Sequence, residues 1–172
     1  LLSVTVYRDD VTATIGSTGY ATFSSTYALD FTDVTEATAY IATNKSGDNI
    51  QMQSITGTVA AGTGLVLKSA NGGSASISIP VVASGTTYNT TTDPTNYLFA
   101  IDNDYNLTAS DNGTNYVLSV QSGKVVFAPV SSTAAPVKAG HAALWIPTAV
   151  AQQARALVMS FSDESTGIGQ LE

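Results

Sequence analysis

The chain has 172 residues, no cysteine, 11% charged residues and a formal net charge of -7. That length suits one domain, or two small halves sharing a core, and can bury roughly 70% of its unfolded surface. Without cysteine there is no disulfide framework and no thiolate chemistry. The acidic balance argues against nucleic acid and anionic membrane surfaces as partners, and no apolar run is long enough for a helical membrane span.

Ser3 to Tyr7 and Val11 to Ile15 alternate with β-branched residues around Arg8-Asp9-Asp10, which reads as a first hairpin. After a loop at Gly16 to Gly19, Tyr20 to Phe23 is a short strand and Ser24 to Thr35 is less regular. Ala39 to Asn44 is a strand, Ser46-Gly47-Asp48 turns it, and Asn49 to Thr56 returns with Ile50, Met52 and, after a slip, Ile55. Gly62 in the next connection calls for a positive φ or a close backbone approach. Gly64 to Ser69 is nearly continuously apolar, as a strand buried on both faces would be. Ser76 to Pro80 alternates again, with Ile77 and Ile79 facing one way.

Residues 84-96 are polar and turn-prone, with Asp93-Pro94, and form a candidate seam between halves 1-83 and 97-162 of a single domain, 1-170. Tyr97 to Ile101 opens the second half as a strand, and Asp102 to Gly113 reads as a polar loop broken by Leu107. Asn115 to Val120 and Lys124 to Pro129 form a hairpin, Ser131 to Ala139 a connection, and Ala142 to Ile146 a buried strand carrying the only Trp. Gln152 to Arg155 could start a helical turn. Ala156 to Phe161 reads as a closing strand with Leu157, Met159 and Phe161 on one face, and Ser162 to Gln170 as an exit linker. The chain opens in mid-strand without a signal-peptide layout, as a domain of a longer precursor would. Leu171-Glu172 reads as the remnant of an affinity-tag junction.

Two stretches occur twice in the same order. Tyr40 to Gly47 returns at Tyr116 to Gly123, offset by 76 positions, and Val59 to Leu67 returns at Val137 to Trp145, offset by 78. Two copies at so long a period do not make a solenoid. They predict two related meander units in one all-β domain of about a dozen short strands, a β-sandwich or irregular barrel.

Gly19-Tyr20-Ala21-Thr22-Phe23 followed by Tyr27-Ala28-Leu29-Asp30-Phe31 resembles the opening of modules that recur in secreted and cell-surface proteins of Bacteroidetes, Prevotella-like species above all. Ala39 to Ala42, Val59 to Lys68, Ile79 to Val82, Tyr116 to Ser119, Pro136 to Gly140, Ala154 to Leu157 and Asp163 to Ile168 continue the resemblance. Where such modules usually carry Pro before Ala-Gly, this chain has Ala60 and Lys138. The resemblance implies an extracellular, non-catalytic β-module that sits beside polysaccharide-degrading enzymes or adhesin-like repeats. It brings no catalytic residues.

The residues themselves point the same way. His141 is the only histidine and occupies the repeated scaffold where the first copy has Thr63, so neither a Ser-His-Asp arrangement nor a zinc site is well supplied. Acids cluster only in loops and terminal segments, so no carboxylate pair for glycoside hydrolysis emerges. Asp102, Asp104 and Asn106 place oxygen at every second residue, as a calcium loop does, but Leu107 stands where glycine is expected and no Glu closes the loop. A solvated loop is the default there, and no other cofactor is implied.

Low charge and abundant Ser and Thr fit a secreted or surface protein. Carbohydrate is the ligand class the composition best tolerates. Tyr88, Tyr105, Tyr97 and Trp145 are candidate stacking rings, and Asn96, Asp102, Asn103, Asp104 and Asn106 candidate hydroxyl partners. Trp145 replaces Leu67 of the first copy and Tyr97 opens an apolar strand, which favours packing roles for both. Tyr88 and Tyr105 have the least structural reason to be aromatic. Tyr40 and Tyr116 are repeated, which makes them structural. The expected function is a glycan-binding accessory module acting on plant polysaccharide, the alternative a spacer or adhesin-type domain.

Overall fold

A computed structural model describes residues 2–3, 9–88, 96–147 and 155–162. Strands β1 (Asp10–Ile15), β2 (Tyr20–Phe23), β3 (Ala28–Asp30), β4 (Ala37–Ser46), β5 (Asn49–Ile55), β6 (Thr58–Val59), β7 (Leu65–Ser69) and β8 (Ala75–Val82) come first. They are followed by β9 (Leu98–Ala100), β10 (Tyr105–Leu107), β11 (Gly113–Gln121), β12 (Lys124–Pro129), β13 (Ala135–Val137), β14 (Ala142–Pro147) and β15 (Leu157–Phe161). The fold is all-β, and its sheets form a nearly closed, barrel-like arrangement.

The duplication seen in the sequence is a duplication of strand pairing. In the first unit β2 pairs with β7, β3 with β6, and β4 with both β5 and β7. In the second, β9 pairs with β14, β10 with β13, and β11 with both β12 and β14. The registers also correspond. Tyr40 opposes Val66 as Tyr116 opposes Leu144, and Leu29 opposes Val59 as Tyr105 opposes Val137. Gly62 and Gly140 both have positive φ, and their amides donate to the carbonyls of Ser25 and Ile101.

Nine strands form one sheet in the order β2-β7-β4-β5-β15-β12-β11-β14-β9. β15 joins the units, parallel to β5 and antiparallel to β12. At the opposite side the sheet ends approach each other. The amide of Ser24 donates to the carbonyl of Gly140, Thr63 bridges to Phe99, and the amide of Tyr97 donates to the carbonyl of Ala42. Gly64 is required there, because a Cβ would meet the backbone of Leu98 and Phe99 at 2.9 Å.

Three apolar clusters follow. The barrel interior takes Tyr40, Ala42, Ile50, Met52 and Val66 from the first unit, Leu98, Tyr116, Phe127, Leu144 and Ile146 from the second, and Leu157 from β15. Outside the first unit, a four-stranded sheet ordered β1-β8-β3-β6 packs Ala13, Ile15, Ile77 and Ile79 against Ile41, Leu65 and Leu67. Outside the second unit, among the described residues, only the β10-β13 ribbon covers a small cluster of Ile101, Leu107, Val130 and Ala143. The slip expected between Met52 and Ile55 is absent: β5 runs unbroken and Ile55 simply faces the first unit's outer cluster while Ile50 and Met52 face the barrel, and the one bulge of this pair lies on β4 between Ala42 and Asn44.

β1 pairs with β8, and its expected hairpin partner, Ser3 to Tyr7, lies outside the described residues but for Ser3. Asp102 to Gly113 is not simply a loop, because β10 forms within it as the counterpart of β3. In the seam, Thr86 bridges to Val59 and a Cβ on Gly85 would strike the Val59 backbone, so this part is packed on β6. Asp93-Pro94, most of the expected helical turn at Gln152 to Arg155, and the exit linker beyond Ser162 lie outside the described residues.

Candidate functional site

Three adjoining cavities follow the line where β1, the β2–β3 connection and the loop before β14 meet. The first, about 330 Å³, is lined by Thr12, Thr14, Thr22, Ser24 and His141 among others. It shares Val11, Ser24 and Gly140 with the second, about 210 Å³, which reaches Tyr27 and Asp102. The third, about 470 Å³, shares Thr26 and Tyr27 and continues past Ala60 to Gly85 and Thr87. Tyr27 therefore stands midway along a groove rich in hydroxyls, with 43% of its surface exposed.

Local sequence explains this placement. Alternation in β1 turns Ala13 and Ile15 inward and leaves Thr12 and Thr14 outward. The amide of Tyr27 donates to Ser25 Oγ at 3.1 Å, a side-chain turn that sets the entry to β3. Ser24 Oγ donates to the carbonyl of His141 at 2.6 Å, and His141 Nδ1 lies 3.0 Å from the carbonyl of Thr22. The Ser24 hydroxyl thus bonds the histidine's backbone, while the Thr22 hydroxyl lies 3.4 Å from the ring at Nδ1. Among the described residues no three His, Asp or Glu side chains gather as a metal-binding group.

The nine residues singled out in the sequence scatter. Asn96 is fully buried, with Oδ1 accepting from the amides of Ala42 and Leu98 at 3.1 Å and Nδ2 donating to the carbonyl of Gly64 at 2.8 Å. No surface of it remains for a ligand. Tyr88 is half-buried against the first unit's outer cluster, and Tyr97 against the barrel interior. Trp145 is half-buried and its Nε1 donates to Ser110 Oγ at 3.2 Å. Asn103 and Asn106 are exposed.

Only Asp102 of the nine lines the groove. Asp104 receives Lys138 Nζ at 3.2 Å and the amide of Ala139 at 2.9 Å, one on each oxygen, and these two donors hold its carboxyl below its ordinary pKa. Tyr105 is exposed, and partial burial, then the Asp102 charge, raises its phenol pKa.

Sequence reading missed Tyr27 and its hydroxyl neighbours. The available signal was a tyrosine directly after Ser25-Thr26, just before a short strand whose apolar residues are buried. The half-buried Tyr20 and Phe161 rings lie nearly parallel, 5.9 Å apart, with Lys68 Nζ 4.5 Å from the Phe161 centroid. That face is already occupied by a cation. Comparison of the chain with family models, with curated proteins and with solved structures finds no match in any of the three.

Proposed function

We propose that this chain is a non-catalytic accessory module of an extracellular bacterial protein, and that it binds carbohydrate, plant polysaccharide being the first class to test. The observation that carries this reading is the groove around Tyr27. An exposed aromatic ring offers an apolar face to a sugar, and Thr12, Thr14, Thr22, Thr26 and Asp102 offer partners for its hydroxyls. In this reading Ser24 and His141 serve as scaffold, Ser24 Oγ donating to the His141 carbonyl and His141 Nδ1 lying against the carbonyl and hydroxyl of Thr22. The resemblance of the chain to surface modules of Bacteroidetes supports the extracellular setting.

Affinity electrophoresis against a panel of plant polysaccharides tests it. The wild-type chain is expected to be retarded by at least one of them. Tyr27→Ala is expected to abolish the retardation, and Tyr105→Ala to leave it intact. Retardation by none of the panel overturns the reading.

A second reading is a structural spacer or adhesin-type domain. It is favoured by where the aromatic rings go. Tyr40, Tyr116 and Phe127 fill the barrel, and Tyr27 and Tyr105, on different elements, are the exposed large aromatics among the described residues.

A further inference from the structure

The two units agree in pairing and register but differ in cover. On the first unit's outer face Phe23, Leu29, Ile41 and Val59 are all buried. Their register counterparts Phe99, Val117 and Val137 are half-exposed, and Tyr105, the counterpart of Leu29, is 44% exposed. The difference has a visible cause. In the first unit β3 carries β6 on one edge and β8 on the other, through Ala28 opposite Val82 and Leu29 opposite Val81. In the second unit β10 carries β13 on one edge, and no strand pairs with its other edge among the described residues. β15 follows β14 as β8 follows β7, but it lies between β5 and β12 instead.

The vacant edge presents backbone groups. Asn106 opposes Pro136, which has no N–H, so this pair is not hydrogen-bonded. The N–H and C=O of Asn106 therefore point away from β13. An edge with free amides beside half-exposed apolar side chains is a template for strand addition.

We propose that the outer edge of β10 takes up an extended strand of another polypeptide, running antiparallel, in the place that β8 holds against β3. The first unit states the chemistry of the occupant. β8 alternates Ile77, Ile79 and Val81 with Ser76, Ser78 and Pro80, apolar on the covered face and small or polar on the other. The β8 of a second copy is not free to supply that strand, because it is paired on both edges, with β1 and β3. The partner is a separate segment of the same alternation. The site is distinct from the Tyr27 groove and stands whether or not that groove binds glycan.

The test uses the whole 172-residue chain and a fluorescent peptide of the Ala75–Val82 sequence, flanked by lysines for solubility and followed by fluorescence anisotropy. Saturable binding is expected. Asn106→Pro, which removes the outward N–H, should weaken it about tenfold or more, whereas Asn106→Ala should stay within about twofold of wild type. A thermal melt checks that the proline variant is folded. If it is not, Tyr105→Asp, which charges the apolar face, must weaken binding while the melt is retained. No binding at millimolar peptide overturns the proposal, as does binding insensitive to these variants. Concentration-dependent dimerisation that Asn106→Pro abolishes overturns it as well, since the edge would then serve a second copy.

Discussion

Asn96 shows how a residue's neighbours mislead. It lies at the end of a polar, turn-prone stretch, where composition suggests an exposed amide. In the fold it ties three backbone groups from β4, β9 and the approach to β7 into the closure of the barrel. Nothing in the local sequence distinguishes an amide that faces water from one that replaces a missing ladder bond. Truncating it leaves two amides and a carbonyl without that partner, each worth about 1–3 kcal/mol if buried and unsatisfied. Asn96→Ala is therefore expected to lower unfolding free energy by at least about 2 kcal/mol in urea titration. Wild-type stability in that variant would mean that water replaces the amide. His141 sits in the repeated connection, and its backbone carries contacts to Ser24 and Ile101 while its ring lies against Thr22.

At the scale of elements, strands with strong alternation or continuous apolar character were legible. Leu65 and Leu67 pack outward while Val66 packs into the barrel, as a strand buried on both faces requires. β10 was not legible, because Asp102 to Asn106 looks like a solvated loop and only Leu107 is buried. It is a strand by analogy of position, held where β3 sits in the first unit. Part of its anchorage is the Asp104 carboxylate on Lys138 and Ala139. Because these donors lower its pKa, the anchor is intact above the ordinary carboxylate range and is lost as pH falls through the lower, folded-state value. The Ala139 amide proton followed by NMR is expected to titrate with a midpoint below that of an unperturbed Asp, and Lys138→Met should move the midpoint upward. A midpoint at the ordinary value would show that the contact is absent in solution.

For the whole molecule, duplication was legible because glycine, tyrosine and the apolar runs recur at two nearly equal offsets. What those offsets do not carry is how the units meet. The answer is one shared interior, with β15 between them and Gly64 and Asn96 at the other join. Leu157, fully buried among residues of both units, is the test. Leu157→Ala should cost about 2–5 kcal/mol and lower one cooperative transition for the whole chain. Two separate transitions, one unaffected, would show that the units fold independently.

The position of β15 also sets an order of events during synthesis. Asn49 is paired with Val158, a partner translated 109 residues later. Each hairpin can form as it leaves the ribosome, but the ring stays open along one side until β15 emerges, with β5 and β12 exposed as templates. Contacts so far apart in sequence are slow to form. The nascent chain is therefore most adhesive in the interval before β15 emerges, when a neighbouring copy of β15 can enter the gap as readily as its own.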